Sequence, residues 1–182
     1  MSDDYTQPVD LRSFIRDVPD FPQPGILFRD VSPLLADPDA FRYAVNALSE
    51  AAGNSLPGAI VGIESRGFIF GAPVAAHLGL PFVPVRKPGK LPAARMSVEY
   101  SLEYGDSQLD IHQDAFTPGT RAYIIDDLLA TGGTARAAAK LVELVGGEVA
   151  GFGFVIELEA LGGRRALGGD GVDALVTYRA DE

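Results

Sequence analysis

With 182 residues, 47% hydrophobic by type and 22% charged, the chain has material for one sizeable core and is read as a single domain over residues 1–182. The absence of cysteine excludes a disulfide framework, a thiolate zinc site and a cysteine nucleophile. A formal charge of −10 argues against nucleic acid as a partner; with no apolar run of membrane-spanning length and an acidic start at Met1-Ser2-Asp3-Asp4, neither membrane insertion nor secretion is expected, which leaves the cytoplasm.

In chain order, the first informative stretch is Phe21-Pro22-Gln23-Pro24-Gly25-Ile26-Leu27-Phe28-Arg29-Asp30, a rigid Pro-Gly turn leading into a short strand. Asp37 then caps a helix whose first residue is Pro38 and which runs to about Ala52. Ala59 to Ile63 is a short apolar run, read as a strand buried on both faces. The turn Glu64-Ser65-Arg66-Gly67 follows, then a helix from Phe68 to Leu78 ending near Gly79, and a strand from Pro81 to Val85. Strand, helix and strand in that order predict an α/β fold with a central, mostly parallel sheet flanked by helices. From Arg86 to Asp106 the chain is long and weakly periodic, with Tyr100 and Tyr104 alternating with apolar residues as in a hairpin. We read residues 86–106 as a flexible lid with an ordered base.

The most specific stretch comes next. Ala122 to Ile125 reads as another buried strand, with Asp126 and Asp127 where it emerges and the small residues Ala130, Thr131, Gly132 and Gly133 just beyond. Thr131 or Thr134 is expected to cap a helix from Arg136 to Val145, stopped by Gly146. Backbone N–H groups of such a turn, reinforced by the helix, can close around a phosphate. Carboxylates beside an anion site suit the hydroxyls of an attached sugar, and ribose 5-phosphate has that shape. Adjacent strand residues point to opposite faces. Asp126 and Asp127 therefore cannot grip one metal ion together; one belongs on the ribose and the other behind it, and no protein-held metal is expected. Val149 to Ile156 and Ala174 to Tyr178 are further strands, joined by a glycine-rich connection from Gly162 to Gly171.

Charge is segregated. No acid occurs from Ser65 to Val98, whereas Arg66, Arg86, Lys87, Lys90 and Arg95 do, which suits a polyanionic small molecule better than a solvated face of mixed sign. Other chemistries fall away. Ser65 lacks the glycine two residues earlier that a nucleophile elbow requires, since Ile63 stands there. Gly89-Lys90 is followed by Leu91 and is no Walker loop; Gly151-Phe152-Gly153 lies in an expected strand and lacks the third glycine of a dinucleotide fingerprint. His77 and His112, the only histidines, offer little material for a triad and enter no proposed chemistry.

The run from Asp126 to Thr134 resembles the phosphoribosyl-diphosphate signature of the type I phosphoribosyltransferases, in the form carried by their adenine-specific members. Glu64 to Gly67, Arg86 to Pro92, Tyr100 to Gly105 and Phe21 to Asp30 resemble further segments of that family, so the similarity extends from about Phe14 to Val176. It implies the family's fold, with a small N-terminal hood at about residues 10–36 and the lid already noted. It also implies a glycosyltransferase of purine salvage that moves the 5-phosphoribosyl group from phosphoribosyl pyrophosphate to adenine, giving AMP and pyrophosphate. By that resemblance the 5-phosphate rests on Ala130, Thr131, Gly132, Gly133 and Thr134, and the ribose on Asp126 and Asp127. Pyrophosphate rests on Glu64, Ser65, Arg66, Gly67, Arg86, Lys87 and Lys90, with Arg66 also catalytic. Glu103 handles the purine proton, Phe28 stacks on the base, and backbone groups near Leu27 and Arg29 read its edge. Mg2+ is expected on the phosphoribosyl pyrophosphate, and a homodimer is expected in which a lid cation comes from the neighbour. Ser65 stands where the adenine-specific pattern usually has Ala, a change that leaves backbone contacts in place; the family turn often holds a non-proline cis peptide. Two alternatives stay open: a sister enzyme acting on hypoxanthine, guanine, xanthine or orotate, and a ligand-sensing regulator without turnover.

Overall fold

Asp10 caps a 3-10 turn over Leu11–Phe14 by accepting the Arg12 N–H at 3.1 Å, and the turn buries Leu11. This is the first element of the structure, a computed structural model that describes residues 9–102 and 105–180. The chain divides after Val45 into two compact units. In the first, β1 (Arg16–Pro19) and β2 (Leu27–Asp30) pair antiparallel with Val18 opposite Phe28. Between them lie a cis Phe21–Pro22 bond and Gly25 at φ +88°, a backbone region that favours glycine. Ion pairs cross the ribbon from Arg16 to Asp30 and from Arg29 to Asp17. β1 is not among the predicted elements, because Arg16, Asp17 and Pro19 give it no apolar alternation and only its partner defines it. After α1 (Ser32–Ala36), Asp37 accepts the N–H groups of Asp39 and Ala40 at 3.0 and 2.9 Å, the expected cap for α2 (Pro38–Asn54).

The second unit begins within α2 and continues with β3 (Ala59–Ile63), α3 (Arg66–Leu78) and β4 (Phe82–Val85). β5 (Arg95–Leu102) and β6 (Gly105–His112) form an antiparallel ribbon. β7 (Arg121–Leu129), α4 (Gly133–Leu144), β8 (Glu148–Leu158), α5 (Gly163–Ala166) and β9 (Val172–Tyr178) complete it. The five-stranded sheet has the order β4-β3-β7-β8-β9 and is parallel throughout, as the alternation of strands and helices predicts. β3 is buried along its whole length. The β5–β6 ribbon joins the sheet where Arg86 and Asp110 exchange backbone hydrogen bonds of 2.9 and 2.7 Å.

Several boundaries differ from expectation, β8 and β9 by a residue or two. β7 continues past Asp126 and Asp127 to Leu129, because pairing with β8 persists to Leu129 opposite Glu157. The acids therefore sit inside the strand rather than at its end. α3 and α4 begin earlier than predicted, at Arg66 and Gly133, and α5 occupies part of the glycine-rich connection. The Tyr123 ring lies across β8: a Cβ added at Gly151 or Gly153 would come within 2.9 or 2.8 Å of it. Those two glycines serve close packing, and the Tyr123 hydroxyl donates to Asp173 Oδ2 (2.6 Å) and the Phe152 carbonyl (2.9 Å). Among the described residues no helix is long and apolar enough to cross a membrane.

Candidate active site

Because β3 and β7 are parallel neighbours, with Gly62 opposite Ile125, the turn that follows β3 comes out beside Asp126 and Asp127, short of the end of β7. After β3 the Glu64–Ser65 peptide is cis, and Arg66 starts α3. Gly67 brings the first turn of α3 against β7. A Cβ there would lie 2.6 Å from the Ile125 carbonyl oxygen and 3.0 Å from Asp126 Oδ1, so a larger residue does not fit without displacement. This approach lets Arg66 donate through Nε to Asp127 Oδ2. Asp127 is 4% exposed and is one of the few buried charged residues.

Asp126 is partly buried, and its Oδ1 accepts the Asp127 N–H at 2.9 Å. Desolvation, followed by the negative charge of Asp127, holds the Asp126 carboxyl well above the ordinary carboxylate range; the Asp127 N–H and the Arg66 charge pull it back only in part. The pair thus combines an ion-paired carboxylate with a carboxyl biased toward its neutral form.

A cavity of about 220 Å3 is lined by Arg66, Asp126, Asp127 and the turn from Ala130 to Thr134. Gly132, at φ +82°, is the residue before α4, and no side chain caps that helix. This corrects the expected Thr131 or Thr134 cap: the left-handed Gly132 makes the turn, and the Thr134 hydroxyl lies 3.5 Å from that of Tyr100 on β5. The uncapped N–H groups are what an anion would need. Neither His77 nor His112 lines this cavity.

Beside it, Glu64 turns its carboxylate toward Arg86. Arg86 Nε and Nη2 donate to Glu64 at 3.2 Å each, the Lys87 N–H donates at 2.9 Å, and the Arg86 guanidinium also reaches the Lys90 carbonyl and lies over the Phe68 ring. Desolvation alone would raise the Glu64 carboxyl, but the Lys87 N–H, Arg86 and the charge of Lys90 together hold it below its ordinary value.

The second unit therefore brings together Arg66, Asp126, Asp127 and residues 130–134, with Glu64, Ser65, Gly67, Arg86, Lys87 and Lys90 on the adjoining turns. Leu27, Phe28 and Arg29 belong to the first unit, where Phe28 meets Phe21 edge to face at 5.1 Å between ring centroids and the Arg29 side chain is committed to Asp17. Glu103 lies outside the described residues. Among those residues no group of three or more His, Cys, Asp or Glu converges as a metal site. Glu157 and Arg164, absent from the predicted site, form a bidentate pair beside the 130–134 turn; the sequence signal is an acid directly after the apolar run that ends at Ile156.

The sequence model of the phosphoribosyl transferase domain matches residues 39–165. The chain is 58% identical over 170 residues to an adenine phosphoribosyltransferase of Synechococcus sp., covering 93% of this chain and 99% of the relative. The crystal structure of adenine phosphoribosyltransferase from Thermoanaerobacter pseudethanolicus superimposes with a TM-score of 0.89 at 50% identity, covering 92% of this chain and 98% of that one. That of the Saccharomyces cerevisiae enzyme, complexed with an imino-altritol bisphosphate and adenine, does so with a TM-score of 0.80 at 42% identity over 85% of this chain and 90% of that one.

Proposed function

The chain belongs to the phosphoribosyl transferase family, and on that premise we propose that it transfers the 5-phosphoribosyl group of phosphoribosyl pyrophosphate to adenine, yielding AMP and pyrophosphate. The observation that carries the reading is the single cavity in which Arg66, Asp126, Asp127 and the 130–134 turn meet. A similar enzyme that holds a bisphosphate and adenine together supports pairing this sugar-phosphate cavity with a purine.

In this reading the 5-phosphate accepts hydrogen bonds from backbone N–H groups of residues 130–134, where the start of α4 adds positive potential. Both Asp126 and Asp127 line the cavity, where strand alternation had one of them behind it, and in this reading both serve the ribose hydroxyls, which donate and accept; a neutral-biased carboxyl beside a carboxylate matches that dual demand. As the bond from C1 of the ribose to pyrophosphate breaks, Arg66, Arg86, Lys87 and Lys90 stabilise the departing charge, while the Asp127 carboxylate favours positive charge on the sugar. The purine ring nitrogen forms the new bond and its proton passes to Glu103. Phe28 stacks on the base, and backbone groups at Leu27 and Arg29 read its edge.

Magnesium is read as part of the substrate. The Asp127 carboxylate is already held by Arg66, which fits an ion that arrives on the substrate's own oxygens better than one this acid would have to bind. An ion carried there would supply positive charge to the leaving pyrophosphate, beside Arg66, Arg86, Lys87 and Lys90. The reading also carries a cytoplasmic homodimer, a hood at about residues 10–36 and a lid at about 86–106, all resting on the sequence resemblance.

The test is pyrophosphate release by the purified protein with phosphoribosyl pyrophosphate and magnesium, offering adenine, hypoxanthine, guanine, xanthine and orotate separately. Release with adenine alone is expected. Release with another base would discard the roles of Phe28 and Glu103, and binding without release from any base would favour a sensor.

A further inference from the structure

We propose that Glu157 and Arg164, which no substrate need touch, are positioning residues that brace the turn assigned above to the 5-phosphate. The inference rests on that assignment and adds residues outside it. Glu157 is the partner of Leu129 across β7 and β8, and Leu129 is the last strand residue before the turn. The Glu157 carboxylate is 3% exposed and takes two prongs of Arg164, Nε at 3.0 Å and Nη2 at 2.5 Å, while Nη1 of the same guanidinium donates to the Val172 carbonyl. Arg164 belongs to α5, a helix of only four residues.

That short helix is the floor of the turn. A Cβ added at Gly163 would fall 2.3 Å from the Ala130 carbonyl oxygen and 2.7 Å from Leu129 Cδ1; one added at Gly132 would fall 3.0 Å from the Gly163 carbonyl oxygen. Backbone therefore rests on backbone at Gly163 and Ala130, with the Leu129 side chain packed beside them. A cavity of about 660 Å3, lined by Glu157, Arg164, Arg165 and Thr177 among others, adjoins α5, so on that flank the helix borders open space. There the bidentate pair holds it, tying α5 to β8 and β9. If the pair loosens, α5 moves toward the cavity and the N–H groups of the turn lose their aim, to which a tightly held anion is sensitive.

The experiment compares the wild-type protein with Glu157→Gln, Arg164→Lys and Gly163→Ala, first by calorimetric titration with ribose 5-phosphate and with pyrophosphate, then by steady-state kinetics. For all three variants the expected result is ribose 5-phosphate affinity weakened by about ten-fold, pyrophosphate affinity within about two-fold of wild type, and KM for phosphoribosyl pyrophosphate raised with kcat little changed. Equal weakening of both ligands, or loss of thermal stability with ribose 5-phosphate affinity intact, would overturn the proposal. Glu157→Gln keeps the shape of the side chain and Arg164→Lys keeps the charge, so a failure of Gly163→Ala to fold leaves two informative variants. The wild-type assay separates this idea from the proposed activity: absence of AMP formation would sink the latter, while the ribose 5-phosphate titration judges the brace independently.

Discussion

Arg66, the first residue of α3, donates through Nε to the carboxylate of Asp127 in the interior of β7, so the turn after one strand is tied to the side chain of its neighbour. Arg66 is 41% exposed and Asp127 only 6% at its side chain, which makes the contact unequal: the guanidinium can return to water and the carboxylate cannot. Replacing Asp127 by Asn should therefore cost little stability. It should lower kcat/KM for phosphoribosyl pyrophosphate by about ten-fold to a hundred-fold, because charge proposed to face the reacting sugar is lost. In an Arg66→Gln background the same replacement should cost less, with a coupling of about 0.5–3 kcal/mol in a double-mutant cycle. Strict additivity would mean that the two side chains act separately.

Glu103→Gln removes the proposed proton acceptor and keeps the shape of the side chain. Turnover with adenine should fall by about a hundred-fold or more while affinity for adenine and phosphoribosyl pyrophosphate changes little. Unchanged single-turnover chemistry would remove Glu103 from the reaction.

Gly67→Ala sets two effects against each other. Alanine favours a helix over glycine by about 1 kcal/mol. The added methyl would meet the Ile125 carbonyl oxygen at 2.6 Å, a backbone atom that cannot swing aside, and such overpacking costs about 1–3 kcal/mol. The clash should win, with a lower melting temperature and weaker binding of phosphoribosyl pyrophosphate. A variant more stable than wild type would contradict the close approach of α3 to β7.

Acid should loosen the first unit in a defined window. Hydrogen bonds from the Ser32 hydroxyl, the Arg16 guanidinium and the Ser32 N–H bring the Asp30 carboxyl from an ordinary 3.8 down to about 2. A depressed carboxyl stabilises the fold above its unfolded value and ceases to do so as pH falls through its folded value, so this contribution should be complete above about pH 4 and gone by about pH 2. The stability difference between wild type and Asp30→Asn, followed by thermal melts from pH 7 downward, should shrink across that window. A difference independent of pH would assign the effect to packing.

The parallel sheet and the cavity around Asp126, Asp127 and the 130–134 turn were legible because strong local signals coincide there: buried apolar runs, adjacent acids, then residues without bulk. What escaped depends on partners distant in sequence. The end of β7 is set by how far β8 stays paired, which no feature of residues 126–129 encodes. Threonine is a good helix cap in general, yet Gly132 holds that place because Gly163 lies too near for a side chain. Gly151 and Gly153 likewise make sense only once the Tyr123 ring is seen above them. β1 takes its identity from β2 alone.

The adjacency of β3 and β7 also sets a scale. Parallel neighbours in a sheet stand about 4.8 Å apart, and that spacing is fixed by main-chain hydrogen bonding rather than by side chains. The turn after β3 comes out one such spacing from Asp126 and Asp127, whereas β7 carries its own turn on past Leu129, so residues 130–134 stand further along the strand direction than residues 64–67. Substitution in either turn can change its chemistry, but the offset between the two is a matter of how far one strand outruns its neighbour, and only a change in strand length would alter it.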